Sequence, residues 1–173
     1  MKKQVRKNIF ETNSSSTHSI VIGNNGEDVH DGLPHVLEFH GDEFGWEHRL
    51  HTDTQSKANY LFTSLVYTND PFTYIEKIRE ILSKWDVEAE FDEIEKKECS
   101  NGESYYVFKN GYCYVDHGDG NNELVKALCE NEDLLMNYLF SNGSYVETSN
   151  DNDDYPILGK EPKNVMLDYY KGN

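Results

Sequence analysis

The chain has 173 residues, 32 of them acidic against 16 basic, for a formal net charge of −16. A field of that sign repels phosphate backbones and attracts basic protein surfaces, so direct nucleic-acid binding is excluded first. The 36% hydrophobic share is low, but 13% aromatic residues separate the chain from a disordered acidic tail, and no run approaches the roughly 18 apolar residues of a membrane span.

Read in chain order, Gln4 to Phe10 is a weakly marked strand, Glu11 to Ser16 a polar loop, and Thr17 to Ile22 a strand through its Ile-Val-Ile run. Gly23 to Pro34 is rich in Gly, Asn and Asp and reads as a loop. His35 to His40 alternates as a strand does, and Gly41 to Gly45 is a Gly-rich turn. Asp53 or Thr54 caps a helix running to about Tyr67. Pro71 opens the clearest helix, in which Phe72, Ile75, Ile78, Ile81, Leu82 and Trp85 recur at three- and four-residue spacing.

After Trp85 the period changes. Val87, Ala89 and Phe91 alternate with acids as in a one-sided strand. Ser104 to Phe108 and Tyr112 to His117 read as a hairpin around Asn110-Gly111. Asn121 to Glu130 and Asn131 to Phe140 are two short helices, Ser144 to Thr148 a strand, Asn150 to Asp154 an acidic loop and Val165 to Tyr170 a last strand. There is no internal repeat. The expectation is a single α+β domain over residues 1–173, with a mainly antiparallel sheet and three to four helices.

The acidic excess is local. From Asp86 to Asp154 there are 18 acids and 4 bases, which leaves −14 of the −16 in that stretch. Asp86, Glu88, Glu90, Asp92 and Glu93, with Glu147, Asp151, Asp153 and Asp154, are therefore the candidate partner-binding carboxylates. The three cysteines, Cys99, Cys113 and Cys129, show no close CxxC spacing, which argues against a disulfide framework and fits a reducing cytosol. The basic stretch Met1 to Lys7 is not followed by an apolar signal region, so an intracellular location is expected.

Histidine is the other notable residue: His30, His35, His40, His48 and His51 lie close together in sequence, with His18 and His117 apart. On a strand, Cys113 and His117 share a face. With His18 on another strand and His40 or Glu43 in a nearby turn, these residues make a possible zinc set. The site expected is His18, Glu43, Cys113 and His117, holding a structural zinc. The run ETNSSSTHS, Glu11 to Ser19, lacks the Gly pattern and Lys of a phosphate-binding loop and reads as a tight loop satisfying its own backbone. A nucleophile pair from Ser14 to Ser16 and His18, or hydrolytic metal chemistry at Asp116, His117 and Asp119, are the enzymatic alternatives.

The run RKNIFETNSSSTHSIVI, Arg6 to Ile22, resembles the opening of a family of small proteins from phages, prophages and mobile elements of Gram-positive bacteria. DEFGWE at Asp42 to Glu47, YVDHG at Tyr114 to Gly118 and LFSNGSYVETSNDND at Leu139 to Asp153 extend the resemblance over most of the chain. By motif position it implies a shared site at His18, Glu43, Asp116 and His117, in the cytoplasm of a bacterial host. Some acidic phage proteins of this size are anti-CRISPR or anti-restriction proteins. The resemblance of origin, size and charge thus implies an inhibitor of a host type II RNA-guided DNA nuclease, which holds nucleic acid in a positive channel. In that reading the chain is a binding protein without catalysis of its own, with no membrane partner. The alternative is a metal-dependent hydrolase or nucleotide-modifying enzyme using the Ser-rich loop, His18, Asp116 and His117.

Overall fold

Apolar residues at alternate positions of one strand set the centre of the molecule. The computed structural model describes residues 16–26, 28–45, 47–116, 122–150 and 164–171. The strand anticipated at Gln4 to Phe10 lies outside them, as do Ser14, Ser15, His117, Asp119, Asp151, Asp153 and Asp154. Among the described residues the order is β1 (Ser16–Asn24), β2 (Val36–Phe39), β3 (Glu43–Phe44), β4 (Arg49–His51), α1 (Thr54–Val66), α2 (Pro71–Ser83), β5 (Glu88–Phe91), β6 (Ile94–Glu98), β7 (Ser104–Phe108), β8 (Tyr114–Val115), α3 (Asn122–Glu130), α4 (Glu132–Phe140), β9 (Tyr145–Asn150) and β10 (Asn164–Lys171). The architecture is α+β and mostly antiparallel, as the pattern of elements implied. No described helix is long and apolar enough to cross a membrane.

The main sheet runs β10-β1-β9-β4 and is antiparallel throughout. Ile20, Ile22 and Val146 are wholly buried on it. β9 lies beside β1 because its own alternation, Val146 and Thr148 on one face and Glu147 on the other, matches that strand. α1 and α4 pack against this sheet. α1 is the central helix: Asp53 caps it by accepting from the Ser56 N–H, and Ala58, Tyr60, Leu61, Phe62, Leu65 and Val66 are all buried.

α2 begins as its sequence demands, with Asp70 as cap and Pro71 in the first turn. Ile75, Ile78, Ile81 and Leu82 form its buried stripe, each contributing about 1.5–3 kcal/mol by leaving water. Phe72, expected in that stripe, is 49% exposed and meets Tyr106 edge-on instead. α2 ends in a reciprocal turn. The Asp86 N–H donates to the Ser83 carbonyl and the Val87 N–H to the Leu82 carbonyl, with Asp86 in left-handed backbone at φ 55°.

The anticipated hairpin around Asn110-Gly111 is not formed. β7 pairs with β6, whereas β8 pairs in parallel with β3. The hairpin turn is a different Asn-Gly, Asn101-Gly102. Gly102 takes φ +85°, the Cys99 N–H donates to the Glu103 carbonyl, and the Asn101 side chain accepts from the Glu103 N–H. Both dipeptides carry the same local signal, and the partner taken by each flanking strand separates them. Ile94–Glu98 gives five residues to pair with Ser104–Phe108, whereas β8 has two. The turn anticipated at Gly41 to Gly45 likewise contains β3. The second parallel pair, β2 with β5, places Glu38 opposite Glu90 and Val36 opposite Glu88.

Candidate functional site

Two regions carry the candidate residues, one interior and one on the surface. The interior region is where the quoted motifs meet. β1 and β9 join the Ser-rich segment to YVETS, and β3 and β8 join DEFGWE to YVDHG. Ser16 Oγ donates to the Asp116 carbonyl at 3.2 Å, linking the first motif to the third. Thr148 Oγ1 donates to the Glu47 carbonyl at 2.7 Å, linking the fourth to the second.

His18 is 1% exposed on the face of β1 that α1 covers, and its Nδ1 lies 2.8 Å from the Tyr60 hydroxyl. The Phe44 ring packs edge-on against both Tyr60 and His51. Burial, followed by the nearby Arg49 charge, lowers the His51 pKa, so its neutral form is favoured. On the opposite face of β9, His48 Nε2 meets Glu147 Oε1 at 3.1 Å, with side chains only 12% and 7% exposed. These pairs lock strands and helix together. Each polar atom named already has a partner within the fold, and a buried pair of this kind fixes geometry by making any misalignment costly.

This arrangement corrects part of the sequence reading. Glu147 was expected to meet a partner, but it is buried against His48 with little of its carboxylate open to solvent. His18 packs into the core against Tyr60, Glu43 is exposed on β3, and Cys113 is half-buried with its sulfur packed onto Gly41, where a Cβ would lie 2.7 Å from it. Among the described residues no three His, Cys, Asp or Glu side chains form a group that could hold a metal, so His18, Glu43 and Cys113 do not come together as one; His117, the fourth of that set, lies outside the described residues.

The surface region is the outer face of β2 and β5. Glu38, Glu88 and Glu90 are exposed, because on each strand the alternate residues, Leu37, Phe39 and Ala89, fill the core. Among the described residues no Lys or Arg pairs with Glu88 or Glu90. At its end this face carries a small network: His40 Nδ1 is 3.0 Å from Asp92 Oδ1, His40 Nε2 is 3.2 Å from Glu38 Oε2, and the Gly41 N–H donates to Asp92 Oδ2 at 3.0 Å. The Asp92 hydrogen bond is the main reason the His40 pKa is raised, with Glu38 adding to it against partial desolvation. Asp92 is thus committed to the fold, and Glu93 is held by Lys109 at 2.7 Å. Asp86 is exposed and serves the turn after α2.

Two features escaped the sequence reading. Lys57 is 1% exposed, inside α1, and donates to main-chain carbonyls that close α4. Its spacing four residues before Leu61 and eight before Leu65 puts it on the buried stripe, a signal the composition alone hides. The His48–Glu147 pair has no local signature, since 99 residues separate its members.

Comparison with known proteins gives no match: no family model fits the chain, and no curated protein or solved structure is significantly similar to it.

Proposed function

We propose that this chain is a binding protein whose acidic outer face occupies the nucleic-acid-binding surface of a basic partner, with a host type II RNA-guided DNA nuclease as the partner to test first. The observation that carries the reading is the cross-strand pair Glu38 and Glu90, with Glu88 beside it, on one exposed face. Like charges directly opposite each other destabilise a sheet, and opposite charges would stabilise it by roughly 0.2–1 kcal/mol. A net charge of −16 adds long-range attraction for a positive channel. Carboxylates two apart on a strand stand about 6.6 Å apart, with the neighbouring strand about 4.8 Å away. That makes a row of anions held rigidly on sheet backbone.

The test is cleavage of target DNA by a guide-loaded type II nuclease, with the protein added before or after the DNA. Competition with DNA requires inhibition when the protein is added first, weakening as salt rises, because exposed charge contacts are screened. The triple variant Glu38→Gln, Glu88→Gln, Glu90→Gln is expected to lose most of that inhibition while melting at least as high as the parent. Absence of inhibition in either order of addition removes this partner.

A further inference from the structure

The most exposed large aromatic side chain among the described residues is Tyr112, at 80%. It lies between β7 and β8, beside Tyr114; the two ring centroids are 5.5 Å apart and tilted by 43°. The segment is tied down from behind, since the Tyr67 hydroxyl donates to the Cys113 carbonyl at 2.7 Å. Tyr114 pairs with Glu43 across β8 and β3, and Asp42 precedes it, both exposed. Burial first, and then the Asp42, Asp92 and Glu43 carboxylates, raise the pKa of the Cys113 thiol beside the pair. An exposed Tyr112 therefore leans on a half-buried Tyr114 beside the exposed carboxylates Asp42 and Glu43, on backbone fixed by hydrogen bonds.

We propose that Tyr112 and Tyr114, with Asp42 and Glu43, form a receiving site for an arginine side chain of a basic protein partner. A guanidinium is flat, stacks on a tyrosine face and still directs N–H groups at carboxylates beside the ring. A lysine ammonium offers a point charge and no plane. The fold uses the same pairing internally, where the Arg79 guanidinium lies 5.2 Å from the Phe91 ring centre while bonding Glu76 at 2.7 Å. Tyrosine is also among the residue types that most often anchor an interface, so this site would fix register where the β2–β5 face supplies only attraction. The inference deepens the binding-protein reading and rests on it for the sign of the partner's charge.

The test is titration of the full chain with a ten-residue arginine-rich peptide and a lysine-rich peptide of equal charge, at 0.15 M salt (roughly physiological), followed by NMR. The arginine peptide is expected to bind about fivefold tighter than the lysine peptide. Tyr112→Ala is expected to lose that preference with its melting curve unchanged, and Tyr112→Phe to keep it. Equal binding of the two peptides, or Tyr112→Ala binding the arginine peptide as the parent does, overturns the site. The two proposals separate cleanly. Arginine preference without nuclease inhibition supports the site and removes that nuclease. Nuclease inhibition without arginine preference supports the acidic-face reading and overturns the site.

Discussion

Lys57, buried in α1, places its Nζ 3.1 Å from the carbonyl of Ser141, the residue that closes α4. The Ser144 carbonyl lies 3.4 Å from the same nitrogen. The end of a helix leaves carbonyls without partners and carries partial negative charge, so a cation there is held by both effects. Around it, Ser144 Oγ donates to the Asn137 carbonyl at 2.7 Å and accepts from the Gly23 N–H at 3.1 Å, and the Tyr138 hydroxyl donates to the Lys57 carbonyl at 2.8 Å. The lysine thus ties α1 to the end of α4, and Ser144 beside it ties in the end of β1.

Burial outweighs that attraction, so stability should rise with pH in the alkaline range. Burial lowers the Lys57 pKa from 10.5 to about 8, with Asp53 opposing. Between those values the unfolded chain binds a proton that the folded chain does not, so unfolding becomes harder as pH climbs through the window. The full effect is about 3 kcal/mol. Urea unfolding from pH 7 to 11 should show this rise in the parent and a much smaller one in Lys57→Met. An equal slope in the two proteins would show that the ammonium is solvated.

Glu147→Ala is expected to act on folding. Removing one member of this largely buried hydrogen-bonded pair costs roughly 1–3 kcal/mol, which is on the order of 2–12 °C in Tm. His48→Ala should fall in the same range, and the double variant should lose less than the sum of the two, because they share one interaction. Thermal melts of the three variants check this. Additive losses would mean that His48 and Glu147 act independently.

Glu90→Lys is expected to stabilise the fold while weakening association with a basic partner. It replaces a like-charge pair with an opposite-charge pair opposite Glu38, worth roughly 0.2–1 kcal/mol, and the gain should shrink as salt rises. Denaturant midpoints at low and high salt give the first half, and the nuclease assay gives the second. A variant that is both more stable and equally inhibitory would separate this face from function.

Asp86→Gly should also stabilise. Asp86 holds φ 55° in the turn that ends α2, a conformation glycine takes without penalty, and the expected gain is about 0.5–1 kcal/mol. If Asp86 contributes only its backbone, inhibition stays unchanged. A fall in inhibition at equal or higher stability would assign its carboxylate to the partner surface.

The elements that were legible from sequence share one property: their signals are local. Asp53 announces α1 by capping, Pro71 opens α2, the Ile75–Ile78–Leu82 stripe repeats with the helical turn, β1 is marked by its Ile-Val-Ile run, and β2 and β5 alternate with the pleat. The charge of −16 follows from composition alone. Pairing was not legible. Asn101-Gly102 and Asn110-Gly111 are equivalent dipeptides, and only the partner available to each flanking strand made one a hairpin. The same holds for the sites. Whether a carboxylate faces solvent, as Glu90 does, or lies buried against a histidine, as Glu147 does, depends on which strand face the core claims. That choice is made by contacts between residues far apart in the chain. Local sequence determined the elements and the overall field, and tertiary packing decided which acids, histidines and tyrosines remain available to act.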